Sequence, residues 1–486
     1  MYAHFSVLML AAVLPIIAQS DIAITSVNVV DVVAGKTLAD QTVLIHGALI
    51  TAVGPSASTT VPSGARVVNG QGQYLIPGLW DMHIHLRSNP AERDKTLADE
   101  NAAMLELFVA NGVVGVREMG GDLSDHIFTW RNEIRSGKRI GPRIVTPGRK
   151  LDVAEPSWPG SLAVTTPEEA RNAVVQMKEK GADFIKVYFA QVEQQVFKSV
   201  MDEAHRVGLK VTGHLPTNLS LQTAFEVGLD GIEHSTLDTP LQTEHDRFVL
   251  EIAARRKQDL AMDAAESLRR RMFIHDSKEA DRVYAQLAKR SFWVTPTMVV
   301  QARVRYEIAE RTDFDNDTRR RYFFPAIWRS WDTKSGMRRP PAPAVLDLWK
   351  RSVKASGQQV LAAHKAGVPI LVGTDCGVSN NYMLPGWSLH EEMEALVKLG
   401  MTPAEVLRSA TLLPAKWRKE EATEGTVENG KRADLVLLRS NPLNHISSTR
   451  EIESVWMGGE FFPRTRLDAL LRIAAERAAP AWSALK

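Results

Sequence analysis

Between residues 79 and 375 the chain alternates strand-like and helix-like stretches, and this rhythm restricts the fold more than any other feature. Eight short apolar runs can be read in order, at 79–85, 113–118, 143–146, 184–188, 210–214, 231–234, 292–297 and 369–375. Amphipathic stretches at 167–180, 191–207 and 352–366 separate several of them. A helix between two strands carries the chain back to the edge where it started, so the strands pair in parallel. Eight such units suit an α/β fold of the (β/α)8 barrel type, which acts at the C-terminal ends of its strands. Periodicity alone also admits a doubly wound open sheet.

The flanking segments have a different rhythm. Residues 22–75 alternate β-rich pieces (22–30, 41–45, 49–53, 65–69) with turns, and similar pieces return at 433–438 and 452–457. They predict a small composite β-sandwich domain built from 21–75 and 425–465, a barrel over 76–424 and a C-terminal helix over 466–486. An insertion at about 299–350 is too long for a simple βα loop and carries Tyr306, Tyr322, Phe323, Phe324, Trp328 and Trp331. A helical excursion packed on the rim and a lid over the site both fit it.

Lys and Arg number 59 against 57 Asp and Glu in 486 residues, a balance that argues against nucleic acid or an anionic surface as partner. The clusters Arg269-Arg270-Arg271 and Arg319-Arg320-Arg321 read as solvated helix faces. Residues 5–18 form an apolar run broken by Ser6 and Pro15, and Ala18-Gln19-Ser20 follows as a small-x-small cleavage signature. Residues 1–20 are therefore expected to be a signal peptide, with the mature protein exported to the periplasm or secreted. No later run reaches about 18 apolar residues, so no stable membrane anchor is expected after cleavage. The single cysteine, Cys376, excludes an internal disulfide. A small-molecule substrate is the expected partner, and a homo-oligomer is compatible with the composition.

The chemistry gathers at the strand ends. His83 and His85 close the first run, and two-residue spacing on a strand points both imidazoles to one face. Lys186 lies in the middle of the fourth, where a charged amine is costly unless paired or neutralised. His214, His234 and Asp375 end the fifth, sixth and eighth. Each alone is more often a hydrogen-bonded strand-end residue than a ligand. Together, the histidines, carboxylate and lysine suit a two-metal site for divalent ions, zinc being the expected metal. CO2 added to the neutral Lys186 amine gives a carbamate, an anionic bridge that resolves the buried amine and supplies a further carboxylate.

The strings Ile76-Pro-Gly-Leu-Trp-Asp-Met-His-Ile-His85, Gly115-Val-Arg-Glu-Met-Gly-Gly121, Gly213-His214, Glu233-His234-Ser235, Gly373-Thr-Asp375 and the 425–438 segment followed by Asn441-Pro442, with the Lys186 strand, span almost all of the mature chain. In them the sequence resembles the metal-dependent amidohydrolase superfamily, in its imidazolonepropionase-like and prolidase-like dipeptidase branch. The resemblance implies that His83, His85 and Asp375 bind the more buried metal and that His214 and His234 bind the second. Carboxylated Lys186 would bridge the two ions. It further implies hydrolysis of an amide bond by a metal-bridging hydroxide, with Asp375 moving the proton.

Tyr188 shares the Lys186 face and is expected to donate a hydrogen bond in catalysis, with a packed core tyrosine as the alternative. Dipeptidase-like members often carry a tyrosine shortly after the fifth-strand histidine, where this chain reads Leu215-Pro216. Arg87 and Arg117 could each hold a substrate carboxylate by a bidentate pair, or form a salt bridge to Glu118, Asp81 or a rim residue. Cys376 is expected to be a packed thiol. Dipeptides and N-acyl amino acids are the expected substrates. The same site could open a lactam, carbamate or ester, and a non-catalytic binding protein on the same scaffold is a further reading.

Overall fold

The computed structural model describes residues 21–87, 97–156, 158–258, 266, 269, 270, 272, 274–310, 313–331, 343–377 and 382–484. The expected signal peptide and parts of the 299–350 insertion lie outside these residues.

Five strands open the chain: β1 (Ile22–Asp31), β2 (Lys36–His46), β3 (Leu49–Pro55), β4 (Arg66–Asn69) and β5 (Tyr74–Pro77). Nine parallel-type strands follow: β6 (Leu79–Ile84), β7 (Val113–Glu118), β8 (Arg143–Val145), β9 (Leu151–Asp152), β10 (Leu162–Ala163), β11 (Ile185–Val187), β12 (Val211–Gly213), β13 (Gly231–Glu233) and β14 (Trp293–Thr295). Strands β15 (Leu435–Leu438), β16 (Ile452–Met457) and β17 (Glu460–Pro463) close the set, before a helix over Arg464–Ser483.

The two ends of the chain meet in one eight-stranded mixed sheet, ordered β17-β16-β15-β5-β1-β2-β3 with β4 also on β1. Val27, Val43, Leu75, Leu437 and Trp456 fill the core against it. Strands from both ends of the chain thus pair in one sheet, with β5 against β15 as the join.

The central strands form two parallel pieces, β6-β7-β8 and β10-β9-β11-β12-β13-β14, which give a TIM-barrel-like α/β fold. The segment 369–375 runs between them. Val294 donates to Pro369 O and Leu371 donates to Val294 O on one side, while Met82 donates to Val372 O and Asp375 to His83 O on the other. Gly373 sits at this crossing, and a Cβ there would meet His83 N at 2.8 Å and Thr295 Cγ2 at 2.5 Å. Only glycine fits so close an approach.

Local sequence explains the helices. Helix Pro167–Glu179 starts with a capping box, Thr166 accepting from Glu169 N while Glu169 reaches back, and Pro167 opens its first turn. Helix Gln194–Arg206 has a strongly one-sided apolar face, burying Val196, Phe197, Val200, Met201 and Ala204. In the insertion, Phe314, Phe323, Trp328 and Trp331 pack with Tyr382, Leu107 and Ala474. Its aromatic residues therefore go chiefly to rim packing. The cavity described below is lined instead by the turns around Val300–Arg305 and by Trp349.

Candidate metal centre

Strand register brings the polar interior together. Lys186 pairs across β11–β12 with Thr212, and Glu233 pairs across β13–β14 with Thr295. These side chains point inward beside His83, which is fully buried on β6. Three strand-end residues depart from extended backbone: His234 (φ 64°), Thr297 (φ 47°) and Asp375 (φ 58°). Left-handed conformations cost non-glycine residues about 1–3 kcal/mol each and cluster at functional sites. At His234 the turn has a visible effect. Alternation would send Glu233 and His234 to opposite faces, yet both converge on His83.

Asp375 Oδ1 lies 3.4 Å from His83 Nε2 and 3.2 Å from His85 Nε2. His83, His234 and Asp375 present ligand atoms that all fall within 4.8 Å of one another. The rings of His214 and His234 are 4.5 Å apart, and Tyr188 lies 4.1 Å from His214. His83, His85, His214, His234 and Asp375 thus gather in one place, with the Lys186 amine acting electrostatically on His214 and His234, and the tightest cluster joins residues assigned by resemblance to different ions.

Each of two imidazoles has one nitrogen already tied. His83 Nδ1 is 2.7 Å from Glu233 Oε2, and His234 Nδ1 is 2.8 Å from Thr297 Oγ1. Such outer partners fix ring orientation and leave the other nitrogen for an ion. Glu233 is itself held by two bonds from Arg117 Nη2 at 2.9 Å and one from Thr212 Oγ1 at 2.6 Å. Behind Thr297, the Glu392 carboxylate accepts from Met298 N at 2.7 Å and Val299 N at 2.8 Å. Asp81 ties β6 to the 369–375 segment, accepting from His83 N, Thr374 N and Thr374 Oγ1.

Lys186 Nζ is fully buried and has no hydrogen-bond partner among the described residues, and the same holds for His214 Nδ1. Burial pushes the Lys186 amine down to about 8; Glu233 and Asp375 oppose this, while Arg117 and Arg87 reinforce it. Burial likewise drives His85 and His214 well below the usual histidine range and His234 to about 3. Neutral imidazoles are the ligand form. Burial alone would raise Asp375 and Glu233. For Asp375, His83 and His85 reverse the effect, and for Glu233, Arg117 and His83 do so; both carboxylates stay ionised. Orphaned nitrogens, neutral rings and an ionised carboxylate at one point are the donor set a divalent ion takes.

The remaining expected residues divide. Arg117 is fully buried and bound to Glu233, Met82 O and Thr295 Oγ1, so it supports His83 from behind and does not line the cavity. Arg87 is buried with its guanidinium 3.8 Å over the Trp158 ring. Tyr188 lines the cavity and is hydrogen-bonded to Trp158, burial raising its phenol. Cys376 is a buried thiol pushed well up by burial. Glu233, Thr297, Glu392, Lys150 and Trp158 were not anticipated. Glu233 alone carried a sequence signal, a carboxylate inside an otherwise apolar run.

A cavity of about 920 Å³ opens from this cluster. Trp158, Tyr188, His214, His234 and Asp375 line its inner end, and it extends past Gln301 toward Trp349.

Among curated proteins, the chain is 22% identical over 446 residues to ochratoxinase from Aspergillus niger, covering 80% of this chain and 75% of that protein. Among solved structures it is similar to a provisionally assigned prolidase from Bifidobacterium longum (25% identity, TM-score 0.65, 94% and 99% of the two chains). It is also similar to a Xaa-Pro dipeptidase with bound methionine (20% identity, TM-score 0.64, 91% and 100%). Residues 74–461 match the model of the amidohydrolase family. Taken with the histidine, lysine and aspartate cluster at the strand ends, this match shows that the chain belongs to the amidohydrolase family and is a metal-dependent hydrolase of carbon–nitrogen bonds.

Proposed function

We infer that the protein is a binuclear amide hydrolase acting on dipeptides or N-acyl amino acids. One observation carries the two-metal reading: the Lys186 amine is fully buried, unpartnered among the described residues and set beside His214, His234 and Asp375. A carbamate formed there from CO2 would turn this isolated amine into a bridging anion. His83, His85 and Asp375 would hold one ion, His214 and His234 the other, and zinc suits this nitrogen and oxygen set. Similarity to a Xaa-Pro dipeptidase and to a bottromycin amidohydrolase supports an amide bond as the target. A closed (β/α)8 barrel carrying a composite β-sandwich domain, and export after removal of residues 1–20, belong to the same proposal.

When bound, the ions make hydroxide available from water near neutral pH and polarise the scissile carbonyl. The chain supplies the rest. Asp375 accepts the proton released as water adds to the carbonyl carbon, then passes it to the leaving nitrogen as the C–N bond breaks. Glu233 and Thr297 keep the His83 and His234 rings in place through their Nδ1 atoms. Tyr188, on the cavity wall beside His214, is placed to donate to the developing oxyanion. Arg117 belongs to the support of His83, by way of Glu233.

Metal analysis alongside a screen of dipeptides and N-acyl amino acids tests this reading. About two ions per chain are expected, falling in Lys186→Ala together with activity. Protein that neither carries metal nor takes up zinc would overturn it.

A further inference from the structure

A second cavity lies at the other end of the parallel strands. Arg143 opens β8, Asp183 precedes β11, Lys210 precedes β12 and Asp230 precedes β13, whereas the metal cluster sits where strands finish. The cavity has two adjoining parts, of about 590 and 400 Å³, which share Asp183, Arg418 and Glu420. The larger part also touches Gly458 and Glu460, so it follows the seam between the parallel strands and the mixed sheet.

Its walls are basic. Among the described residues, six arginines line the larger part and two lysines the smaller, against four carboxylates across both. Ion pairs occupy part of this set: Arg131 with Asp183 at 2.9 Å, and Arg143, Arg418 and Arg432 with Glu420, Glu424 and Asp434. Arg135, Lys210 and Lys419 have no carboxylate within ion-pair distance among the described residues; Arg135 donates to Asn132 Oδ1 and Lys210 to Trp417 O. Arg131 Nε, Arg143 Nε and Arg418 Nη1 are buried without a hydrogen-bond partner among the described residues. Burial, and then Arg143, lower the Arg418 guanidinium to about 9. Cations at helix C-termini offset the helix dipole by about 0.3–1 kcal/mol each, which accounts for Arg135 and Lys419. It does not account for Lys210, which precedes a strand, or for crowded guanidinium groups with N–H groups unfilled.

A diphosphate ester suits these walls. Each phosphate group presents several acceptor oxygens, and guanidinium forks pair with such oxygens bidentately. Uncommitted cations stand in both parts, with Arg418 where the parts meet, so two linked phosphates engage both while a single group engages one. Half-buried Ile134 and Ile140 offer apolar surface to an organic remainder, and cavities of about 300–1,000 Å³ are the size that holds small molecules. We propose that this seam is a binding site for a small organic diphosphate, held by Arg135, Arg418, Lys210 and Lys419 at the strand ends opposite the hydrolytic centre. Occupancy there is independent of the amide-hydrolase reading. A seam of purely structural ion pairs would bind no such anion.

Calorimetric titration with ADP and AMP tests this on the metal-loaded protein, and again after a chelator has removed the ions. ADP should bind in both states, about tenfold or more tighter than AMP, and less tightly as salt rises. Arg135→Gln combined with Lys210→Gln should weaken ADP binding about tenfold or more, while Lys210→Arg should retain the wild-type affinity. Neither side chain of the double variant joins an ion pair among the described residues, so its melting temperature without ligand should match the wild type. If the double variant fails to fold, Lys419→Gln, at the exposed end of its helix, takes its place. No ADP binding by the wild type, binding that disappears with the metal ions, equal affinity for ADP and AMP, or full ADP affinity in the variant would each overturn the proposal.

Discussion

Thr297 and His234 stand at the ends of two neighbouring strands, both in left-handed backbone, with Thr297 Oγ1 2.8 Å from His234 Nδ1. Neither conformation is favourable in isolation, so the hydrogen bond and the Glu392 clamp on Met298 N and Val299 N hold the pair together.

Thr297→Val should free the His234 ring while keeping the shape of the side chain. An outer-partner loss of this kind typically weakens metal affinity about 10–100-fold. Chelator competition should show one weakened ion and one unchanged, and Thr297→Ser should restore the first. Identical titration curves for the valine variant and the wild type would refute this role.

Arg117→Met leaves Glu233 as a buried carboxylate without its cation. Removing one member of a buried pair costs about 3–5 kcal/mol, so a large fall in denaturation midpoint is expected. Adding Glu233→Gln should recover part of the loss, since the uncompensated charge is then gone. No recovery in the double variant would mean that packing, and not charge, sets the effect.

Gly373→Ala places a methyl where His83 N and Thr295 Cγ2 already stand. Backbone has to shift at the crossing, at about 1–3 kcal/mol for an overpacked site. The displacement falls on His83, so metal content should drop along with thermal stability. Wild-type stability and full metal content in this variant would contradict the close approach.

Burial lowers His390 to about 3 from 6.5, in a site where it contacts Thr449 Oγ1 and Asn111 O. Between those pH values the unfolded chain binds the proton and the folded chain does not. The stabilisation is therefore complete above about pH 6.5 and lost as pH falls toward 3. Thermal melts of His390→Gln should show a shallower pH dependence in this window, by up to about 1.4 kcal/mol per pH unit. Parallel curves for the two proteins would exclude it.

The strand ends could be read from sequence because apolar runs that finish in His or Asp carry their own boundary, and parallel pairing then sends those ends to one side. Lys186 stood out because an amine in such a run demands a reason. Lys150 and Trp158 could not be found this way, since 146–161 has no period to say which side chains turn inward. Glu392 sits in a helix that also carries Glu391, Glu394 and Lys398, and only the fold shows that it is the one that reaches the Met298 turn. For the flanking segments, alternation with period two is the same for a single sheet and for two facing sheets, so pairing was beyond it. The partner of Arg117 was likewise hidden, being 116 residues away on β13.

The position of β5 also bears on how the chain comes together in time. Residues 74–77 pair with β1 on one side and with residues 435–438 on the other. During synthesis the first strands must wait, with Leu75 and Ile76 on an open edge, until almost the whole chain has emerged. The slow step of folding should accordingly be the joining of the two termini, and a chain cut short before residue 435 would be left with an adhesive strand edge where the complete protein has a seam.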